Sequence, residues 1–239
     1  MKSFLFSEQW YILLVMAILS YLLGGLSGAV FISKKVKHED IREKGSGNPG
    51  TMNMARAYGF KFGVFTFLFD AAKGAVASLI GFLVYKNYQI SGVNAGDFVC
   101  YLNGFCVVLG HIYPALKNFK GGKGIATTCG VFMVGLISQS LWFLLIIPVC
   151  YVLTLGFIYV TEYASLASLI IISVFGITQF VLFGVEYSAV VSACLAVLYA
   201  FVFLICALDW YAHRENIKRL LAGEEHKTSL KAMLKKKKK

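Results

Sequence analysis

Seven apolar runs follow one another along the chain, separated by short polar loops: residues 10–32, 60–85, 98–116, 125–138, 141–160, 162–184 and 189–208. About 20 apolar residues in a helix match the ~30 Å hydrocarbon core of a bilayer. In lipid a spanning segment must satisfy its own backbone hydrogen bonds, as a helix or as part of a closed barrel. The residue-by-residue alternation of a barrel strand is absent, and three prolines suit helices. Only 15% of residues are charged, whereas a soluble domain carries about 25%. These features predict an all-α integral membrane protein with seven transmembrane helices. The fourth and sixth runs are near the lower length limit and are expected to be tilted or partly re-entrant. The first run exceeds a signal-peptide core and ends at Lys34, Lys35 and Lys37, so it reads as a retained span.

Positive charge sets the orientation. Lys34, Lys35, Lys37, Arg42, Lys44, Arg56 and Lys61 lie in or beside the first loop. Lys117, Lys120 and Lys123 lie in a second loop on the same side, as does the basic tail; the opposite loops hold little beyond Lys2 and Lys86. The N-terminus is therefore expected outside and the C-terminus in the cytoplasm. Residues 1–234 read as a single polytopic membrane domain and 235–239 as a disordered polybasic tail able to lie on anionic lipid. The net charge of +11 is thus explained by topology, without nucleic acid. The six cysteines are scattered through apolar runs, with no paired spacing and no neighbouring histidines, so neither disulfides nor a metal site is expected.

The first cytoplasmic loop contains Gly45-Ser46-Gly47-Asn48-Pro49-Gly50-Thr51-Met52-Asn53-Met54-Ala55-Arg56. Such a stretch fits a plain inter-helix turn or a nest of backbone N–H groups for an oxyanion, with Arg56 as a forked cation. The second loop, Lys120-Gly121-Gly122-Lys123-Gly124, precedes a helix whose positive dipole end would also face an anion. Two such loops on one membrane face suggest two phosphate groups. The GxxxxGK[ST] spacing of an ATP-binding loop is missing, as are HExxH and GxSxG. Asp70 and Lys73 share one face of the second run, either as a mutual pair joining helices or as part of the site. His111 reads as a helix-end histidine or a site residue, and His213 with Asn216 sits at the membrane edge. An organophosphate transporter would also want cationic loops, but internal repeats are not evident.

Taken together, these motifs resemble the bacterial acyl-phosphate:glycerol-3-phosphate acyltransferase family (PlsY). The matching pieces are the first glycine stretch, then Gly110-His111-Ile112-Tyr113-Pro114 leading to Lys120–Thr127, then Ser165-Leu166-Ala167-Ser168, then His213–Glu224, all in order and on one side of the membrane. The resemblance implies a seven-helix enzyme of the bacterial plasma membrane with its site facing the cytoplasm. It would transfer the acyl group of an acyl phosphate to the 1-hydroxyl of glycerol 3-phosphate, giving lysophosphatidate and inorganic phosphate, the first acylation of phospholipid synthesis. No cofactor is implied. The partners implied are the two substrates, membrane lipid and an upstream enzyme that forms acyl phosphate. Ser46, Arg56, Lys123, His213 and Asn216 would carry the chemistry. Gly45, Gly47, Asn48, Gly50, Asn53, Gly121, Gly122, Gly124 and Thr127 would bind substrate, and Glu224 would be structural. One departure is Pro49-Gly50-Thr51-Met52-Asn53, where the family often reads Pro-Gly-Ala-Thr-Asn. Thr51 is therefore assigned no contact. Proton transfer has two candidates, His213 and a phosphate of the bound donor, with the substrate route favoured.

Overall fold

The computed structural model describes residues 2–4 and 6–235. Long helices dominate it: α1 (Phe6–Gly24), α2 (Gly28–Lys37), α4 (Phe60–Tyr85), α5 (Ala95–Ile112), α6 (Ile125–Gln139), α7 (Phe143–Thr161), α8 (Ala164–Glu186) and α9 (Ala193–Ala212). Three short helices lie at one end of the bundle: α3 (Thr51–Tyr58), α10 (Arg214–Leu221) and α11 (Leu230–Lys235). Helix α5 is the hub, packed against α1, α4, α6 and α9, while α6 fits between α4, α5 and α8. The α4–α6 crossing depends on glycine. A methyl group at Gly74 would collide with the Thr127 carbonyl, and one at Gly130 with the Ala71 carbonyl. Outward-facing Leu14, Leu19, Ile80, Leu83, Leu153 and Ile177 form an apolar flank suited to lipid.

Among the described residues, five helices (α4, α5, α7, α8 and α9) are long and apolar enough to cross a membrane, and α1 with α2 makes a sixth candidate if the bent pair is one span. The expected fourth span is α6, which has only 15 residues, about 22 Å of rise. The expected first span is not continuous. It bends by 41° between α1 and α2. The side chains expected to pair in the second run supply the reason. Lys73 Nζ donates to the Gly24 carbonyl at 2.9 Å and the Leu26 carbonyl at 2.5 Å, and Asp70 Oδ1 accepts from the Gly28 N–H at 3.4 Å. Lys73 also reaches Asp70 at 3.0 Å and His111 Nδ1 at 2.7 Å. One buried ion pair thus serves both open helix ends of the break.

The opposite end of the bundle carries a feature absent from the all-α expectation, a small sheet of order β1-β2-β3. Strand β1 (Lys2–Ser3) pairs parallel with β2 (Tyr88–Ile90), Lys2 opposite Tyr88. Strand β2 pairs antiparallel with β3 (Val93–Asn94), Ile90 opposite Val93. Both residues of the connecting turn, Ser91 and Gly92, have positive φ, as a tight hairpin turn requires. The polar loop expected at 33–59 contains α3 and a short 3-10 turn, Ile41–Glu43. Residue 235, expected in a disordered tail, ends α11, and residues 236–239 of that tail lie outside the described residues.

Candidate active site

A cavity of about 410 Å³ lies at the end of the bundle that carries α3, α10 and α11. One part is polar, lined by Ser46, Asn48, Arg56, Lys123, His213, Asn216, Glu225 and His226. The other is an apolar arm between α4 and α7, walled by Phe60, Val64, Phe67, Tyr151, Leu155 and Ile158. Phe67 and Tyr151 meet edge to face in its wall, ring centroids 5.8 Å apart. Val64 is 38% and Leu155 47% exposed, so the arm opens sideways onto the apolar flank.

Two helices begin at the polar part. Neither Gly50, before α3, nor Gly124, before α6, supplies a side-chain cap. The first N–H groups of both helices are left for a ligand, and both dipole ends are positive there. Gly124 has a φ of 94°, and a side chain at that position would collide with the Asp209 carboxylate. Arg56 projects from α3 with Nε held by the Met52 carbonyl at 3.2 Å. Burial lowers the Arg56 pKa, with Glu225 acting in the opposite sense. Burial also brings Lys123 down to about 8, and Arg219 and Arg56 add to this while Glu225 opposes it.

A polar chain supports Lys123. Its ammonium bonds Asn216 Oδ1, and Asn216 Nδ2 donates to Glu225 Oε1 at 2.7 Å. Ser165 Oγ donates to the same oxygen at 2.9 Å, and Arg219 Nε to Oε2 at 2.9 Å. Burial works against the Glu225 charge, but the three donors outweigh it and hold the carboxyl below its ordinary range. His213 is buried and its Nδ1 lies 2.8 Å from the Asp209 carbonyl. A carbonyl only accepts, so Nδ1 carries the proton and Nε2 keeps its lone pair. Burial lowers the His213 pKa to about 4, leaving the ring neutral at physiological pH.

The cavity brings together Ser46, Asn48, Gly50, Asn53, Arg56, Lys123, Gly124, His213 and Asn216. Within that group Asn53 is committed to the chain itself. Its Oδ1 accepts from the Ser46 N–H at 3.2 Å and its Nδ2 donates to the Lys44 carbonyl at 2.9 Å, so it shapes the loop. Gly45, Gly47, Gly121, Gly122 and Thr127 do not line the cavity. The Gly121 and Gly122 N–H groups are spent on the Ile112 and His111 carbonyls, both at 3.1 Å. A side chain at Gly122 would strike the His111 ring, so these glycines serve close packing. Thr127 is fully buried at the α4–α6 crossing. Glu224 points into solvent, and the structural carboxylate is its neighbour Glu225. Sequence reasoning passed over Glu225 and His226. Adjacent glutamates gave no signal to separate them until the turn after α10 oriented one inward.

Residues 14–223 match the family described as glycerol-3-phosphate acyltransferase. The chain belongs to this family. Glycerol-3-phosphate acyltransferases of Finegoldia magna and Aquifex aeolicus are 38% and 37% identical to it, each over 90% of this chain and over 96% and 98% of their own lengths. Solved structures of PlsY (YgiH), an integral membrane glycerol 3-phosphate acyltransferase, superpose on it with TM-scores of 0.70 in a glycerol 3-phosphate form and 0.69 in a lysophosphatidic acid form. The first is 34% identical and spans 93% of this chain and 98% of that one. The chain is therefore an integral membrane acyltransferase, and the transporter alternative is set aside.

Proposed function

We propose that the protein transfers the acyl group of an acyl phosphate to the 1-hydroxyl of glycerol 3-phosphate, forming lysophosphatidate and inorganic phosphate. The observation that carries this reading is the two-part cavity. Its polar part offers two uncapped helix N-termini, Arg56 and Lys123, a set suited to two phosphates. Its apolar arm suits an acyl chain entering from the bilayer. An acyl phosphate is already activated, so the reaction asks for positioning and charge neutralisation. The lysophosphatidic acid form of the PlsY structure fits the same product.

In the proposed reaction the glycerol hydroxyl oxygen attacks the donor carbonyl carbon, the bond from that carbon to the phosphate oxygen breaks, and phosphate departs. Arg56 and Lys123 neutralise phosphate charge. The Ser46 hydroxyl and free N–H groups of α3 stabilise the carbonyl oxygen as it gains charge. The hydroxyl proton passes to an oxygen of the donor phosphate. A His213 ring with a pKa near 4 is a poor match for a base working near neutral pH, so His213 instead accepts a hydrogen bond through Nε2 and orients the acceptor. Asn216 fixes Lys123 through the link to Glu225.

The same reading includes seven spans in one domain, with the N-terminus outside and the site facing the cytoplasm of a bacterial cell. Short as it is, α6 runs from the site end to a hydrogen bond between Gln139 and Asp97 in the first turn of α5, at the sheet end. The first-loop lysines and the basic residues Lys218 and Arg219 of α10 gather at the site end, as the positive-inside rule requires. An enzyme supplying acyl phosphate would act upstream, and nucleic acid plays no part. The deciding assay gives purified protein in detergent palmitoyl phosphate and labelled glycerol 3-phosphate. Lysophosphatidate is the expected product. Failure with that donor, together with turnover of acyl-coenzyme A or acyl carrier protein, would overturn the proposal.

A further inference from the structure

The match to the family ends at Gly223, yet the chain beyond it returns to the cavity. His226, Thr228 and Leu230 line it. The segment is fastened at several points. The Thr228 N–H donates to the Glu162 carbonyl at 2.8 Å. Leu230 and Met233 are only 7% and 8% exposed, packed with Ala55, Ile158, Ala164 and Ala167. Lys231 Nζ lies 4.7 Å from the centre of the Tyr159 ring. Helix α11 thereby seats against α4 and α7, the two helices whose facing side chains wall the apolar arm. Phe67 and Tyr151 meet edge to face in the wall of that arm, and Leu230 lines the same cavity in a cluster with Ala55, the neighbour of Arg56 in α3.

We infer that α11 is a binding element for the acyl donor, in which Leu230, backed by Met233, covers the methylenes nearest the reacting carbonyl. The inference rests on the acyl-phosphate reading given above. Leu230 offers no polar atom to glycerol 3-phosphate, so its contribution falls on one substrate alone. Removing its buried side chain reduces the apolar area that a long-chain donor can cover.

The test separates the two substrates. In the full chain, Leu230→Ala is expected to raise the KM for palmitoyl phosphate about tenfold. Its kcat and its KM for glycerol 3-phosphate are expected to stay within about twofold. Met233→Ala should move the donor KM in the same direction by less, and Leu230→Met should restore it. An unchanged donor KM, or equal loss toward both substrates, would overturn the inference. Hydrogen exchange of the unmodified protein gives a second readout. Hexadecyl phosphate, a non-reacting single-chain phosphate, is expected to slow exchange at residues 228–233, and glycerol 3-phosphate alone is not. Absence of that protection also overturns the inference. If the unmodified enzyme makes no lysophosphatidate from palmitoyl phosphate, the proposed reaction falls, and the exchange result still judges α11.

Discussion

Arg56 and Arg42 are both guanidinium groups of the first polar loop, and the fold gives them opposite tasks. Arg42 is clamped on Asp40, with Nη2 to Oδ2 at 2.7 Å, away from the cavity, whereas Arg56 lines it. Arg56→Ala is expected to lower kcat/KM by about 10²–10³ with the fold intact, and Arg42→Ala to leave it nearly unchanged. Equal losses in both would mean that the loop acts only through bulk charge. Lys123 makes a pH prediction. In the proposed reaction it must be protonated to neutralise phosphate, and burial brings its pKa to about 8 in the free enzyme. The rate at low substrate should therefore fall as pH rises through about 8, and Lys123→Arg should move that decline to higher pH. A decline that stays in place in the Arg variant would assign it to another group. At this scale the sequence exposed chemistry better than direction. Arg56, Lys123 and Asn216, which line one cavity, could be picked out from residue type and motif. Gly121, Gly122 and Thr127 could not, because a glycine freeing an N–H and a glycine admitting a neighbouring ring look the same in a string.

Among the elements, the α1–α2 break is where buried charge decides geometry. Lys73 is 4% and Asp70 1% exposed, and together they occupy the carbonyls and the N–H left open by the bend. Lys73→Met removes one partner and leaves a buried carboxylate beside unmet carbonyls. A loss of about 3–5 kcal/mol is expected, read as a lowered thermal unfolding temperature in detergent. An unchanged transition would show that the break holds without the pair. The helices themselves were legible, because 18 or more apolar residues between loops announce a span. The bend was not. Gly24 and Gly25 are ordinary in a membrane helix, and the lysine that holds the bend is remote in sequence. Nor was α11 legible, since six residues beside a lysine tract resemble a solvated tail until Leu230 and Met233 are seen buried.

For the whole molecule, the two ends of the bundle differ in kind. One holds the cavity and the cationic loops, and the other a three-stranded sheet that ties Lys2 to the hairpin after α4. The proposed orientation predicts labelling by a membrane-impermeant maleimide in a cysteine-free background. A cysteine replacing Ser91 should label in intact cells, and one replacing Lys120 only after permeabilisation; the reverse pattern would invert the topology. Hydropathy supplied the long apolar helices in outline, while the sheet, three residues or fewer per strand, lies below any periodic signal. The sideways opening of the arm at Val64 and Leu155 has a kinetic consequence. An enzyme that draws one substrate from the bilayer responds to that substrate's mole fraction among lipids, not to its amount per volume of buffer. In vesicles at fixed total palmitoyl phosphate, added inert phospholipid should slow the reaction by surface dilution, and added buffer should not. The cell could then tune this step through the two-dimensional crowding of its own membrane.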